Sequence, residues 1–298
     1  MSWRKYLNNQ NWNIGFTTCL PKELIEKRTL PKISWMKHPY KDRFFADPFI
    51  LNVTSDTIVL FAEELEFEYP KGRLVELVVD RQTKELRERY LLLELDTHLS
   101  YPAIQFIDGE IYVYPENGAA GKLSLYVYCA EQHCLKFKKV ISFESLADST
   151  IYQDKDGFWL FATRLPHTQE DLFLYYSKTF DGLYEQVGQV VSGLEYSRPA
   201  GNLFMAGNRL YRPAQYCKGR YGAGIEIRRI VRLGTDYQEE PVCSLRPTSF
   251  RYNLGMHTIN FFGNVCVIDG YGYLYPFMGR VFHWLWLMKN RMLKRNGR

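Results

Sequence analysis

At 298 residues, with 46% hydrophobic and 24% charged residues, the chain has the ordinary composition of a globular protein. A formal net charge of +5, with no Lys/Arg-dense interior stretch and no nucleic-acid-binding motif, excludes nucleic acid as an expected partner. The six cysteines (Cys19, Cys129, Cys134, Cys217, Cys243 and Cys266) contain no C-x-x-C pair, which excludes the common zinc and redox motifs.

The opening MSWRKYLNNQNWNIGF has no apolar signal core, so reduced thiols in a cytoplasmic protein are expected. The aromatic share, 16%, suits many short strands.

Five segments then repeat one pattern: an opening residue, usually polar and often followed by proline, an apolar run, a tight turn and a second apolar run. The first is Asp47-Pro48-Phe49-Ile50-Leu51, returning through Ile58-Val59-Leu60-Phe61-Ala62 to Glu63-Glu64. The second runs from Tyr101-Pro102-Ala103-Ile104 through the turn Asp108-Gly109 to Glu116. The third runs from Asp148-Ser149-Thr150-Ile151 through Asp156-Gly157 to Thr163-Arg164. Arg198-Pro199-Ala200-Gly201 opens the fourth, which turns at Gly207-Asn208 and closes on Arg212-Pro213-Ala214-Gln215. His257-Thr258-Ile259 opens the fifth, which turns at Gly263-Asn264 and closes on Asp269.

The openers are 54, 47, 50 and 59 residues apart. A period near 50 built of strands and hairpin turns is the signature of propeller blades. Further strand-like runs, such as 74–79, 123–128 and 172–176, supply the outer strands. The predicted architecture is all-β: a five-bladed β-propeller over residues 1–279, followed by a short basic amphipathic helix over 280–298.

The innermost strand of a blade lines the propeller axis, so its first residue projects at the mouth of the central channel. Asp47, Tyr101, Asp148, Arg198 and His257 therefore form one predicted ring. The ends of the second strands, Glu64 (or its neighbour Glu63), Glu116, Arg164, Gln215 and Asp269, form another. Converging ionisable groups at a propeller mouth are the default site. The alternative for any one of them is a turn cap, since Asp-Pro and Asp-Ser form turns readily.

The stretch Ala46-Asp47-Pro48-Phe49, with Asp148 opening the third repeat, resembles the five-bladed propellers of glycoside hydrolase family 43. A closer resemblance is to the propeller domain named for the N-terminal part of plant glucosamine inositolphosphorylceramide transferases. It is carried by Leu99-Ser100-Tyr101-Pro102, Tyr114-Pro115-Glu116-Asn117, Ser197-Arg198-Pro199-Ala200-Gly201, Tyr211-Arg212-Pro213-Ala214-Gln215 and His257-Thr258, and spans residues 44–270. The hydrolase resemblance implies that Asp47 is a base and that Asp148 tunes pKa. Where those hydrolases carry a blade-four acid, this chain has Arg198, which cannot donate a proton at neutral pH. Glu116 or Glu195 would have to supply the acid.

Arg164, Arg198 and Arg212, with Lys218 and Arg220 nearby, suggest phosphate recognition, and a phosphate leaving group needs no strong acid. The alternative is that the arginines pair with ring carboxylates. Asp154-Lys155-Asp156 reads as a solvated turn rather than a metal motif, His257 as a hydrogen-bonded histidine rather than a ligand, and no metal or cofactor is expected.

In the tail, Val281 to Met288 is too short to span a bilayer, while Trp284, Leu285, Trp286 and Met288 beside Lys289, Arg291, Lys294 and Arg295 suit a membrane interface. The resulting expectation is an inverting glycosyltransferase of cell-surface polysaccharide or glycolipid assembly, peripheral at the inner face of the membrane. It would use a phosphorylated sugar donor and a glycan or lipid-linked acceptor. Asp47, Asp148 and Glu116 would be catalytic. Tyr101, Arg164, Arg198, Arg212, Gln215, His257, Asp269 and Glu64 would bind substrate. A family-43-like hydrolase and a non-catalytic glycan-binding propeller are the rivals.

Overall fold

The computed structural model describes residues 10–191, 195–281, 284, 285 and 288. The chain opens with β1 (Gln10–Thr18), α1 (Pro21–Lys27) and β2 (Ser34–Trp35). Four blades follow in chain order. Blade one is β3 (Arg43–Val53), β4 (Thr57–Glu66), β5 (Arg73–Asp80) and β6 (Leu86–Leu93). Blade two is β7 (Ser100–Ile107), β8 (Glu110–Glu116), β9 (Leu123–Cys129) and β10 (Cys134–Ser142). Blade three is β11 (Leu146–Gln153), β12 (Phe158–Arg164), β13 (Asp171–Ser177) and β14 (Glu185–Val191). Blade four is β15 (Phe204–Ala206), β16 (Arg209–Tyr216), β17 (Gly224–Arg232) and β18 (Gln238–Leu245).

The fifth blade is shared between the chain ends: β19 (Ile259–Phe262) and β20 (Val265–Tyr273) pair outward onto β1 and β2. Nine residue pairs from Gln10↔Tyr273 to Thr18↔Val265 hold this closure. It leaves no open edge between the first and last blades, the liability that closed β-folds remove.

The hairpin turns follow their residues. Asp108 and Gly109 both have positive φ (50° and 82°), as a two-residue hairpin turn requires. In the blade-three turn, Asp154 Oδ1 accepts the N–H of Asp156 and of Gly157, and Oδ2 accepts Trp159 Nε1; Asp154 is spent on the turn.

Apolar layers fill the spaces between blades. Ile14 and Phe16 of β1 join Val265 and Val267 of β20 and Phe45, Leu60 and Val75 of blade one. All six cysteines are free thiols, three buried (Cys19, Cys217, Cys266) and three half-buried. Residues 276–281 are helical, so the C-terminal helix starts a turn earlier than the sequence pattern predicts. Most of the 280–298 tail lies outside the described residues. Among the described residues no helix is long and apolar enough to cross a membrane.

Ile14 is fully buried where the last blade meets the first. Ile14→Ala should therefore lower stability by about 2–5 kcal/mol in chemical denaturation, the usual cost of truncating a core isoleucine. A loss below ~1 kcal/mol would mean that β1 is not part of the folding unit.

Candidate active site

Three of the five inner strands carry the same defect at the same place. In blade one, Ala46 pairs with Glu63 and Phe49 with Phe61, so Asp47-Pro48 stands against Ala62 alone. In blade two, Tyr101-Pro102 stands against Pro115, and in blade three Asp148-Ser149 against Ala162. Each is a β-bulge whose first residue is left-handed: Asp47 at φ 51°, Tyr101 at 46° and Asp148 at 47°. That conformation costs a non-glycine residue about 1–2 kcal/mol and gathers at functional sites, where a bulge re-aims a side chain.

Blades four and five reach the same mouth without a regular strand there. Gln215 donates its N–H to the Arg198 carbonyl, and Asp269 donates its own to the carbonyl of Thr258.

The side chains form two hydrogen-bonded halves. In one, Asp269 Oδ1 accepts the N–H of His257 and of Thr258 at 2.8 and 3.1 Å. Its Oδ2 lies 2.5 Å from His257 Nδ1 and accepts the Asp47 N–H at 3.3 Å. Asp47 Oδ1 accepts the Thr258 hydroxyl at 2.6 Å, and Oδ2 the Tyr101 N–H at 3.2 Å. Trp12 stacks on the His257 ring at 3.9 Å. In the other half, Arg198 clamps Asp148 through Nε at 2.5 Å and one terminal nitrogen at 3.2 Å, and reaches Glu116 at 3.1 Å. Gln215 Nε2 also donates to Asp148, and the Asp148 N–H donates to Glu116. Glu63 stands between the halves, opposite Ala46, with His98 Nε2 3.4 Å from its carboxyl.

These surroundings set the charges. Burial would lower His257, but Asp269 and Asp47 outweigh it and push the imidazole up to about 9. Burial raises Asp47 to about 6, with His257 opposing and Asp148 and Asp269 reinforcing. Burial would also raise Asp148, yet the Arg198 guanidinium holds it below the ordinary carboxylate range. Glu116, buried against the anionic Asp148, moves up in spite of Arg198. Glu63 moves up through burial and then through Asp47, Asp148 and Asp269. One pocket thus holds Asp47, raised to about 6, beside two carboxyl groups that burial pushes toward the protonated form, Glu63 and Glu116. This is the pairing that acid–base chemistry uses.

The mouth gathers Asp47, Asp148, Glu116, Arg198, Gln215, His257 and Asp269. Tyr101 contributes its backbone there, but its phenol turns into the channel, bonding Thr150 Oγ1 at 2.8 Å and the Gly201 N–H at 2.7 Å. The remaining three sequence candidates lie elsewhere. Glu64 is one residue out of phase with the ring: it binds Arg43, Arg73 and Arg89 on the other face of blade one, and Glu63 takes its place. Arg164 is likewise one residue past the ring position, which Thr163 holds; it pairs with Glu144, Tyr175 and Gln186. Arg212 is fully buried, bridging to Glu239 and to the Ser197 and Tyr196 carbonyls. The expected arginine cluster therefore reduces to Arg198, which is itself paired with carboxylates. Glu195 bonds Lys218 at 2.6 Å in an exposed pair.

Sequence reasoning missed Trp12, Thr258 and His98, and preferred Glu64 to Glu63. Thr258 adjoins a named opener and strand alternation favours Glu63 once the bulge is counted; Trp12 has no local signal, because the chain ends meet only on closure.

Asp47, His257 and Asp269 place one ligand atom each within 4.8 Å of one another. Their bonding suits a proton better than a metal: Nδ1 donates to Asp269, and Asp269 already accepts three N–H groups.

Fold and mouth together define a five-bladed propeller with a carboxylate-ringed axial pocket. The same fold occurs in the family 117 glycoside hydrolase Zg3597 of Zobellia galactanivorans, with a TM-score of 0.55 at 10% identity over 90% of this chain and 91% of that one. It also occurs in the GH62 α-L-arabinofuranosidase catalytic domain of Coprinopsis cinerea, with a TM-score of 0.54 at 12% identity over 74% of this chain and 78% of that one. The family model for the N-terminal region of glucosamine inositolphosphorylceramide transferase 1 matches residues 29–250, and the chain belongs to that family. The Oryza sativa subsp. japonica protein of that name is 31% identical over 215 residues, 68% of this chain and 28% of the relative. The Arabidopsis thaliana protein is 29% identical over 207 residues, 66% of this chain and 27% of the relative. The chain thus spans little more than a quarter of the curated relatives it matches.

A histidine raised in the folded state adds stability that is complete below its unfolded pKa of about 6.5. That stability is lost as pH climbs through about 9. The melting temperature should therefore carry a falling contribution across this window, and Asp269→Asn should remove it. An NMR titration should show His257 near 9 in the parent and lower by at least ~1 unit in the variant. An unchanged His257 titration would contradict the pairing.

Proposed function

We propose that this propeller is an inverting glycosyltransferase of cell-surface polysaccharide or glycolipid assembly, with its reaction centre at the ringed mouth. The observation that carries the reading is Asp47: a buried carboxyl group at a strained bulge, raised to about 6, beside carboxyl groups that burial pushes toward the protonated form. Asp47 takes the proton of the acceptor hydroxyl. Asp148, fixed by Arg198 and Gln215, orients the sugar, and the Asp269–His257 pair holds Asp47 in place. Family membership supports the class, since the plant relatives are named as transferases.

The donor in this reading carries phosphate. Arg198 is the arginine at the ring, and Lys218 and Arg220 stand on the loop that follows Gln215. The acceptor is a glycan or lipid-linked sugar. The C-terminal helix supports placement at the inner face of a membrane: Phe277, Val281, Trp284 and Leu285 are exposed, and cations dominate the sequence that follows.

Asp47→Asn should abolish turnover while donor binding survives, because an amide keeps the shape but cannot take the proton. Arg198→Ala should weaken binding of a phosphorylated donor about tenfold to a hundredfold, as loss of a charge-assisted contact of ~1.5–3 kcal/mol implies. Calorimetry with phosphorylated sugars beside a product assay checks both. Cleavage of simple glycosides without such a donor would establish the hydrolase instead. Glycan binding without turnover, unchanged in Asp47→Asn, would establish a binding module.

Deleting 280–298 should release the protein from anionic vesicles with its unfolding midpoint unchanged. Failure of the full chain to bind such vesicles would refute the membrane placement.

A further inference from the structure

We infer that Glu63 is the proton donor of this pocket, set in place by His98, and that the donor it serves is a sugar 1-phosphate. The inference rests on the glycosyl-transfer reading above and goes one step further, to the leaving group.

The argument starts from what holds Glu63. It is 7% exposed, and among the described residues its carboxyl has one polar partner, His98. The Gly72 N–H donates to His98 Nδ1 at 2.9 Å, so Nδ1 presents its lone pair and the neutral ring carries its proton on Nε2, toward Glu63. Gly72 is required for this approach: a Cβ there would lie 2.3 Å from the Leu99 carbonyl oxygen, 2.7 Å from Glu63 Oε1 and 2.7 Å from His98 Cε1. Burial, and then Arg198, keep His98 neutral. Glu63 Oε1 thus lies 3.4 Å from the Nε2 of a neutral ring, and among the described residues no Lys or Arg forms an ion pair with the carboxyl.

The other carboxyl group that burial shifts upward, Glu116, is less suited to give a proton to a ligand. It already accepts the Asp148 N–H and an Arg198 nitrogen, so its position is spent on holding the clamp. Three carboxylates face Glu63, Asp47 from β3, Asp148 from β11 and Asp269 from β20, while Arg198 opposes them and His98 is uncharged. Burial and these three carboxylates therefore favour the protonated form of Glu63.

The leaving group follows from the chemistry. A nucleoside diphosphate departs from a sugar without help from an acid. A sugar 1-phosphate is a monoester dianion, and its C–O bond would otherwise release a phosphate trianion. In the proposed step the acceptor oxygen bonds to the anomeric carbon, and the bond from that carbon to the phosphate oxygen breaks with its electron pair. The acceptor proton passes to Asp47, and the Glu63 proton passes to the phosphate oxygen. Charge balances: a dianionic donor, neutral Glu63 and anionic Asp47 become dianionic hydrogen phosphate, anionic Glu63 and neutral Asp47. Water returns the proton from Asp47 to Glu63.

The test pairs hexose 1-phosphates with the matching UDP-sugars, offered with a glycan acceptor to the full chain and to Glu63→Gln. Glu63→Gln should lower kcat with the 1-phosphates about 10²–10⁴-fold, with KM changed little, and erase the fall in rate at alkaline pH. Wild-type rates for Glu63→Gln with 1-phosphates, or a wild type that turns over UDP-sugars alone, would overturn the assignment even where Asp47→Asn upholds the transferase reading. A readout independent of turnover is infrared difference spectroscopy. The parent at pH 7 should show protonated-carboxyl absorption that Glu63→Gln weakens by one group and His98→Gln keeps, and its persistence in folded Glu63→Gln at full intensity would equally overturn the proposal.

Discussion

The burial of several carboxyl groups around one axis is the constraint on which the rest of this structure depends. Asp47, Glu63, Asp148 and Asp269 are all buried, and isolated buried carboxylates would be prohibitive. The fold resolves this by three different means. Asp148 is ionised because Arg198 and Gln215 hold it. Asp269 is surrounded by N–H donors, two from the backbone of the strand entry it faces and one from Asp47. Glu63 and Glu116 are shifted upward by burial, toward the neutral form. Asp47, with one hydroxyl, one N–H and a shared imidazolium, sits between these extremes. A group whose two protonation states are so nearly balanced is the one that can move a proton.

The backbone contributes to this balance. A left-handed residue at the head of three inner strands turns Asp47 and Asp148 toward each other's field and brings the Tyr101 N–H onto Asp47. In blade two the same geometry directs a phenol into the channel, where it bonds blades three and four through Thr150 and Gly201. The bulge is thus one device with two uses: it aims acids in blades one and three and ties the axis in blade two.

Closure is the second condition. Blade five exists only when β1 pairs with β20, and that pairing lays Trp12 over His257. The imidazolium is therefore sandwiched between an indole and two carboxylates, a set of contacts assembled from both ends of the chain. Electrostatics at the mouth and stability of the whole propeller meet in this blade.

The sequence by itself determined the all-β class, the five repeats and the positions of their turns, because strand alternation and Asp-Gly or Gly-Asn turns are local properties. It also pointed to Asp47, Tyr101 and Asp148 as equivalent inner-strand positions, while the bulge they share, one to four residues into strands that begin at Arg43, Ser100 and Leu146, came only from the structure. Only the tertiary structure decided which faces the neighbours take. A bulge shifts strand parity by one, so Glu63 rather than Glu64, and Thr163 rather than Arg164, reaches the mouth. Arg212 is an arginine in the right repeat, but Glu239, 27 residues further on, claims it from the outer strand of its own blade. His98 acquires its meaning from Gly72, and Trp12 from His257. A charge's partner is set by distance in space, and nothing in local pattern encodes which distant segment will supply it.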